Sequence, residues 1–295
     1  MTRLTKFAAT ALLLLVAVAL SPACGDDDDA EGGGETASPT TTPTPEPIDI
    51  SVVPELADGT LTVGSIINLP PMEFYRSRSP DAAGLDVDII DAIAVVLGIS
   101  YEFQEAADYT ALIGDLKASR YDAAVSAITI TSRRTQDAGL LPYFGPAGTS
   151  ILVGAGNPEG ITAFEDLCGN SVAAQLGTAQ IVHLNDLNRG ECAAAPIDIK
   201  GYSDNPSAIE ELVLGRVVAQ LSSDPVAVYA AAESGGVLEV AVSGFDSAPY
   251  GIAVRKDSPE LLTVLSRALA LIQADGTYER ILRDWGLEDF AYEPE

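Results

Sequence analysis

Few residues in this chain could carry metal or nucleophilic chemistry, and the scarcest of them is histidine. His183 is the only histidine among 295 residues, and the chain has three cysteines, at positions 24, 168 and 192. A zinc site needs clustered nitrogen and sulfur ligands, which this spacing does not offer. A histidine-dependent nucleophilic triad also has little room here. We therefore expect no metal site and no cofactor, with His183 as a solvated or half-buried helix residue.

The first 24 residues have the pattern of an export signal. Arg3 and Lys6 precede an apolar run at 7–20, which is shorter than the roughly 20 residues of a membrane-spanning helix. Small residues then lead to Cys24, and the arrangement resembles a bacterial lipoprotein signal, in which this cysteine becomes lipidated. Ser21 departs from the leucine that is commonest there, so an ordinary cleaved signal is the alternative. We expect an extracytoplasmic protein, lipid-anchored at the cell surface or in the periplasm.

Residues 25–47 have the composition of a tether. They contain an acidic run at 26–29, glycines at 32–34 and a Thr/Pro run at 40–47, with almost no aliphatic side chains. Such a segment buries too little apolar surface to offset the conformational entropy that it would lose on ordering. We therefore expect a disordered spacer between the membrane and a folded domain.

The two remaining cysteines, Cys168 and Cys192, lie within the part of the chain that can fold. Disulfides form in exported proteins, and an even pair there most simply means one bridge. We therefore predict a disulfide between Cys168 and Cys192.

The charge balance excludes one large class of function. The chain has 43 acidic against 16 basic side chains and a formal net charge of −27. A surface of that sign is repelled by phosphate backbones, so nucleic acid is not an expected partner. It also gives anionic ligands no long-range steering, which favours a zwitterionic or cationic ligand. The 47% of hydrophobic residues can build a substantial core.

Strand-like and helix-like segments alternate from residue 48 onward, which predicts an α/β fold with mainly parallel sheets, in two lobes. Ligands of such folds bind at the carboxyl ends of strands, and two lobes offer a cleft between them. The predicted strands are 61–66, 101–104, 123–127, 150–153, 172–175, 197–200, 217–221 and 237–242. The predicted helices are 85–97, 108–118, 163–167, 179–187, 207–214 and 226–232.

Several sequence fragments, in this order and spacing, carry a resemblance to a known family. They are Leu61-Thr62-Val63-Gly64, Pro70-Pro71-Met72-Glu73-Phe74, Gly84-Leu85-Asp86-Val87-Asp88, Thr129-Ile130-Thr131-Ser132-Arg133-Arg134, Tyr250-Gly251-Ile252-Ala253-Val254 and Asp275-Gly276-Thr277-Tyr278. Across about 59–290 the chain resembles extracytoplasmic solute-binding proteins of the polar amino acid type, which deliver substrates to ABC importers.

The resemblance implies a two-lobed periplasmic-binding-protein-like fold of type II, with two hinge strands and the ligand cleft between the lobes. Lobe 1 would comprise residues 48–145 and 247–295, and lobe 2 residues 146–246. Tyr278 and Trp285, on the final helices, would pack on lobe 1. The protein would be a monomer that captures an amino acid-like small molecule and delivers it to an ABC permease.

The resemblance also implies how a free amino acid would be held. Its carboxylate suits a bidentate arginine and the N-terminus of a helix. The matching positions are Arg134 and Thr129 for the carboxylate, Ser126 and Ala127 for the ammonium, and Thr178 and Ala179 at the helix start.

Four further positions would face the ligand side chain. Tyr109 matches an aromatic residue that packs against the ligand, and Gln175 replaces what is often a basic or polar residue. Leu69 stands where a second aromatic is common, and Ile66 where members that bind basic or amide ligands often have an acid. The apolar Ile66 cannot pair with a charged or amide group of the ligand, and leaving such a group buried and unpaired costs about 1–3 kcal/mol. We therefore expect a smaller or less polar ligand.

One departure concerns the ligand ammonium. The family normally has an aspartate two residues before the proline of Asp224-Pro225, and here that position is Ser223. Either Asp224 pairs with the ammonium, which we favour slightly, or the ligand lacks a conventional α-ammonium. Asp224 could instead cap the following helix.

A second class of function stays open. Enzymes similar to cyclohexadienyl dehydratases use the same two-lobed cleft for elimination. Such an enzyme needs a positioned acid or base, for which the candidates are Glu73, Asp108 and Asp224. We expect a binding protein and not an enzyme.

Overall fold

The alternating pattern folds into one large mixed sheet with helices on both sides. The computed structural model describes residues 46–77 and 79–293, so the predicted signal, Cys24 and nearly all of the predicted tether lie outside the described residues. The strands are β1 (Thr60–Ser65), β2 (Asn68–Leu69), β3 (Glu73–Tyr75), β4 (Ala82–Ala83), β5 (Ser100–Glu105), β6 (Ala123–Ala124), β7 (Gly139–Gly154), β8 (Ser171–Gln175), β9 (Asp198–Tyr202), β10 (Ala219–Ser223) and β11 (Leu238–Val254). The helices are α1 (Leu85–Leu97), α2 (Leu112–Lys117), α3 (Arg134–Asp137), α4 (Ala179–Arg189), α5 (Asn205–Val213), α6 (Asp224–Glu233), α7 (Pro259–Ala274) and α8 (Thr277–Asp284).

The large sheet has the order β5-β1-β6-β11-β7-β10-β8-β9. β1 pairs in parallel with β5 and β6, and β8 pairs in parallel with β9 and β10. Between these two parallel groups run β7 and β11, which are antiparallel to each other and which we call the crossing strands. β2, β3 and β4 form a separate small sheet.

The crossing strands are much longer than the sequence pattern predicts. The expected strands at 150–153 and 237–242 are only the ends of elements of 16 and 17 residues. Pro142, Pro146 and Pro249 lie within them, and proline normally argues against a strand interior. Repeated register shifts along the β7–β11 pairing allow the two strands to continue through these positions.

The buried apolar side chains form separate clusters on the two sides of the crossing strands. One packs α1, α7 and α8 against β1 and the nearby ends of β7 and β11, around Leu61, Ile89, Ile252 and Leu265. Another packs α4 against β8 and β10, around Val172, Leu184 and Leu221. Each parallel group of strands therefore has its own core.

The final helices pack against the first of these cores, as predicted. Tyr278 is buried, and its hydroxyl donates to the carbonyl of Tyr143 at 2.8 Å. Trp285 is partly buried, and its Nε1 donates to Asp88 Oδ2 at 2.8 Å. Both aromatic residues thus have packing roles. Among the described residues, no helix has the length and apolar character that crossing a membrane requires.

Cys168 and Cys192 are joined by a disulfide, as the sequence predicts, with the Cα atoms 5.0 Å apart. The bridge closes a loop with a sequence separation of 24, and Cys192 lies in the buried cluster around Leu184. It fastens the segment after α4 to the short 3₁₀ turn at Phe164–Leu167.

Replacing both of these cysteines by serine is expected to lower the free energy of unfolding by about 3 kcal/mol, because the bridge restricts the unfolded chain. Urea unfolding followed by circular dichroism measures the change. The oxidised wild type is the reference, and the reduced wild type should lose a similar amount. A double variant as stable as the oxidised wild type would contradict this role of the bridge.

Candidate functional site

A cleft lies where the two parallel groups of strands face each other. Eight residues that the sequence predicts as ligand contacts line it: Leu69, Tyr109, Ser126, Ala127, Thr129, Gln175, Thr178 and Ala179. The other lining residues are Gln180, Asn205, Leu221, Ser222, Ser223 and Val226. The structure therefore brings together most of the predicted positions from distant parts of the chain.

The carboxyl ends of strands supply the cleft, as expected for this type of fold. Ser126 and Ala127 follow β6, Gln175 ends β8, and Ser222 and Ser223 end β10. The stretch after Ala127 is pinned to β11, because the amide of Ile130 donates to the carbonyl of Pro249 at 2.8 Å. These backbone contacts fix the polar groups of the cleft on strand ends.

Arg134 does not line the cleft itself but binds residues on both of its sides. Its Nη1 donates to the carbonyl of Thr129 at 2.9 Å, and its Nη2 donates to the carbonyl of Gly177 at 3.2 Å. The guanidinium also lies 5.3 Å from the ring centroid of Tyr109, a cation–π distance. Arg133 is exposed, whereas Arg134 is only partly exposed. Of this adjacent pair, Arg134 is therefore the arginine at the cleft.

The N-terminus of α4 forms the opposite edge of the cleft. Thr178 is the N-cap residue, and its Oγ1 donates to the carbonyl of Gln175 at 2.7 Å. Gln180, in the first turn, is buried and donates through Nε2 to Thr149 Oγ1 at 3.1 Å. The first amides of a helix have no partner within it, and the helix dipole favours an anion there. This edge can accept a carboxylate.

Two buried carboxyl groups hold Ser126 and Ala127 from behind. Glu73, on β3, accepts a hydrogen bond from Ser126 Oγ. Asp86, in the first turn of α1, accepts from the amide of Ala127 at 3.0 Å and from the hydroxyl of Tyr143. Both carboxyl side chains have no solvent exposure.

Burial shifts the proton affinity of both groups. It raises the pKa of Glu73 well above its usual value, and the nearby negative charge of Asp86 raises it further. Burial also raises the pKa of Asp86 to about 6, against the hydrogen bonds from Glu73, Tyr143 and Ala127, which lower it. Asp86 was not predicted as a site residue, and Glu73 was considered only as an acid for an enzyme.

Ile66 is not among the residues that line the cleft, and the expectation that it contacts a ligand stays a prediction. Its side chain is 4% exposed and packs in a buried cluster with Leu112, Leu116 and Ile128. Its amide contributes indirectly, since it donates to Ser126 Oγ at 3.3 Å.

Asp224 is also absent from the cleft lining, and its role as the partner of a ligand ammonium stays a prediction. Its Oδ2 accepts from the amide of Gly148 at 2.7 Å, and its Oδ1 accepts from Ser150 Oγ at 2.6 Å and the amide of Gly244 at 3.1 Å. These three donors belong to the crossing strands. The N-cap of α6 is Ser223, so Asp224 is not the cap either. The carboxylate binds α6 to both crossing strands.

The polar floor beside β10 was missed by sequence reasoning. Asn205 is 5% exposed, and its Oδ1 accepts from Gln220 Nε2 and from Ser222 Oγ, each at 2.9 Å. In the sequence, Asn205-Pro206 is typical of a helix start, and nothing in it shows that the Asn205 side chain is buried rather than exposed. The contact depends on how α5 packs across the sheet.

His183 is half-buried on α4, as expected. Its ring lies between Phe164 and Phe245, with centroid distances of 4.8 Å and 4.2 Å. Burial lowers its pKa. Within the described residues, no group of three or more His, Cys, Asp or Glu side chains could hold a metal ion.

The family model for bacterial extracellular solute-binding proteins, family 3, matches residues 61–288. The chain belongs to this family, and the predicted resemblance is confirmed. Since solved amino-acid-binding proteins with the two-lobed fold are among its structural neighbours, the predicted α/β two-lobed fold is confirmed as well.

Similar proteins are named for binding amino acids. The arginine-binding protein ArgT of Corynebacterium glutamicum is 30% identical, over 81% of this chain and 79% of the relative. The L-cystine-binding protein TcyJ of Escherichia coli K12 is 26% identical, over 77% of this chain and 82% of the relative.

Two solved structures extend this comparison. An ancestral arginine-binding protein bound to arginine is 33% identical with a TM-score of 0.71, covering 77% of this chain and 98% of that structure. An ancestral amino acid-binding protein, a precursor of cyclohexadienyl dehydratase, is 32% identical with a TM-score of 0.68, covering 77% of this chain and 96% of that structure. The chain thus resembles both binding proteins and the precursor of an enzyme.

Proposed function

We propose that this protein binds a free α-amino acid in the cleft and delivers it to an ABC permease. The observation that carries the proposal is the position of Arg134, which reaches Thr129 on one side of the cleft and Gly177 on the other. A carboxylate at this point could accept from the guanidinium and from the first amides of α4. The names of the similar proteins agree with an amino acid ligand.

Closure around the ligand follows from contacts on both sides of the cleft. We take residues 48–145 and 247–295 as lobe 1 and residues 146–246 as lobe 2, joined by the crossing strands. A ligand shifts a protein towards a closed state only if it binds that state more tightly. A carboxylate held by Arg134 and by the N-terminus of α4 meets this condition.

The ligand side chain is uncharged in this proposal. Among the residues that line the cleft in the described chain, none is acidic or basic, and Leu69, Leu221 and Val226 are apolar. Gln175 and Asn205 could pair with a small polar group. A guanidinium or ammonium in the side chain would be buried without a counter-charge, which is costly. An arginine ligand, as in ArgT, is therefore disfavoured.

Binding without chemistry is also part of the proposal. The described lining residues include no imidazole, carboxyl, thiol or amine that could take or give a proton to a bound molecule. Asp108, a candidate acid, accepts from Thr110 Oγ1 and from the amide of Ala111 at the start of α2. Asp224 is used by the crossing strands. These positions favour a binding protein over a dehydratase.

We further propose that the chain is exported as a monomer and anchored through a lipidated Cys24. The signal-like sequence before Cys24 supports the anchor, and the disulfide agrees with an oxidising compartment. The tether would give the folded part reach from the membrane to a permease.

A thermal-shift screen of the 20 amino acids, cystine and small organic acids tests the proposed function. A ligand at 100 times its Kd stabilises the folded state by about 2.7 kcal/mol, which raises the melting temperature by several degrees. We expect neutral L-amino acids to give the largest shifts. Equal shifts for organic acids without an ammonium group, or none for any amino acid, would contradict it.

A further inference from the structure

Two carboxyl groups meet in the protein interior directly behind the cleft. Asp86 lies in the first turn of α1, and its amide donates at 2.9 Å to the carbonyl of Met72, the residue before Glu73. Gly84 allows this approach, since a Cβ at that position would lie 2.0 Å from the Met72 carbonyl oxygen. The start of α1 is thereby fixed to β3, and both carboxyl side chains are fully buried.

Within the described part of the chain, neither carboxyl group has a cationic partner, since no lysine, arginine or histidine forms an ion pair with Glu73 or Asp86. Glu73 and Asp86 bind the adjacent residues Ser126 and Ala127, so each buried carboxyl group lies in the field of the other. Two buried like charges disfavour double ionisation, so one of the groups keeps a proton. Asp86 receives an N–H and an O–H, both of which stabilise an ionised carboxylate. Glu73 Oε2 is buried and receives no hydrogen bond, so Glu73 is the group that carries the proton.

Two donors at Ser126 and Ala127 are already used by the buried carboxyl groups. The hydroxyl of Ser126 donates to Glu73 Oε1, and the amide of Ala127 donates to Asp86. In a trans peptide the carbonyl points opposite to the N–H, so the Ser126 carbonyl faces away from Asp86. Ala127 has a φ of +45°, a strained conformation for a residue with a side chain. The two carboxyl groups hold this strained segment in place.

We propose that Glu73 and Asp86 are positioning residues that share one proton, and that the single negative charge they keep is the counter-charge for the ligand's α-ammonium. This inference rests on the proposed function. The ammonium would bind acceptors of Ser126 and Ala127, two residues that line the cleft, with the Asp86 carboxylate one peptide unit behind them. Related proteins normally have an aspartate at the position of Ser223 to balance the charge of the ligand ammonium. In this chain the Glu73–Asp86 pair would supply that negative charge instead. The raised pKa of Glu73 agrees with a proton on that group.

Infrared spectroscopy of the ligand-free wild-type protein tests the shared proton. At pH 7.5 we expect one protonated-carboxyl band that shifts when glutamate is labelled with ¹³C at its side-chain carboxyl, and does not shift on the same labelling of aspartate. No such band, or a band that shifts only with aspartate, would overturn the assignment. This measurement needs neither a ligand nor a variant, so it decides the proton even if the proposed function fails.

Calorimetry with L-glutamine and its deaminated analogue 4-carbamoylbutanoate tests the counter-charge. Asp86→Asn should weaken L-glutamine at least tenfold more than the analogue, and Glu73→Gln, which keeps a neutral donor and acceptor, should weaken it less. Asp91→Asn, an exposed change on the same helix, is the control. Equal losses for both compounds would mean a merely structural role and overturn the counter-charge. If neither compound binds the wild type, the proposed function has failed for this ligand class, and the counter-charge with it.

Discussion

Replacing Arg134 by alanine is expected to weaken amino acid binding at least a hundredfold, about 2.7 kcal/mol. The guanidinium lies at the cleft, where it donates to the carbonyls of Thr129 and Gly177 and packs against the face of Tyr109. Its loss removes a charge-assisted partner of the carboxylate and a link between the two sides. Arg134→Lys keeps the charge but not the planar fork, so an intermediate loss is expected.

Arg133→Ala is the matched control, because Arg133 is the adjacent arginine and is exposed. It should leave the Kd within about twofold of the wild type. Calorimetric titration with the amino acid that gives the largest thermal shift measures both variants. An Arg134→Ala protein that binds as tightly as Arg133→Ala would remove Arg134 from the site.

Replacing Asp224 by alanine is expected to destabilise the folded protein by about 3 kcal/mol. The change leaves the amides of Gly148 and Gly244 and the hydroxyl of Ser150 without their acceptor. The donors of Gly148 and Ser150 are buried, so leaving them unpaired is costly, and the three bonds together join α6 to both crossing strands. Asp224→Asn should cost less, since one of its side-chain oxygens is kept. Urea unfolding measures the difference, and Glu233→Ala, an exposed change on the same helix, should stay within about 0.5 kcal/mol of the wild type.

The same variants separate the two roles considered for Asp224. If the carboxylate only organises the crossing strands, Asp224→Asn should weaken an amino acid and its deaminated analogue by the same factor. A loss confined to the amino acid would mean that Asp224 meets the ligand ammonium after all. A variant as stable as Glu233→Ala would contradict the structural role.

The elements that the sequence predicts well are those whose signals are local. α1 spans Leu85–Leu97 as predicted, because its apolar residues have helical spacing and Gly98 ends it with a φ of +67°. The predicted helix at 108–118 is shorter, since Asp108 uses its carboxylate to form a turn before α2. The crossing strands were not predicted at full length, because their prolines read as breaks and their pairing depends on the partner strand.

The candidate site divides in the same way. Its strand-end and helix-start residues follow from sequence fragments and from the family resemblance. The Glu73–Asp86 pair could not be predicted, because it depends on β3 meeting the start of α1 and on Ala127 adopting a left-handed conformation. Asp224 fits a simple helix-start pattern, and only the packing of α6 against the crossing strands shows what it binds.

The most direct test of amino acid binding in this cleft compares three forms of one ligand by calorimetry. The forms are the L-amino acid that gives the largest thermal shift, its deaminated acid and its decarboxylated amine. Recognition of the carboxylate by Arg134 and α4, and of the ammonium by Ser126 and Ala127, predicts that each truncated form binds at least tenfold more weakly than the parent. If either truncated form binds with the affinity of the parent amino acid, the proposal that the cleft recognises both the carboxylate and the ammonium is contradicted.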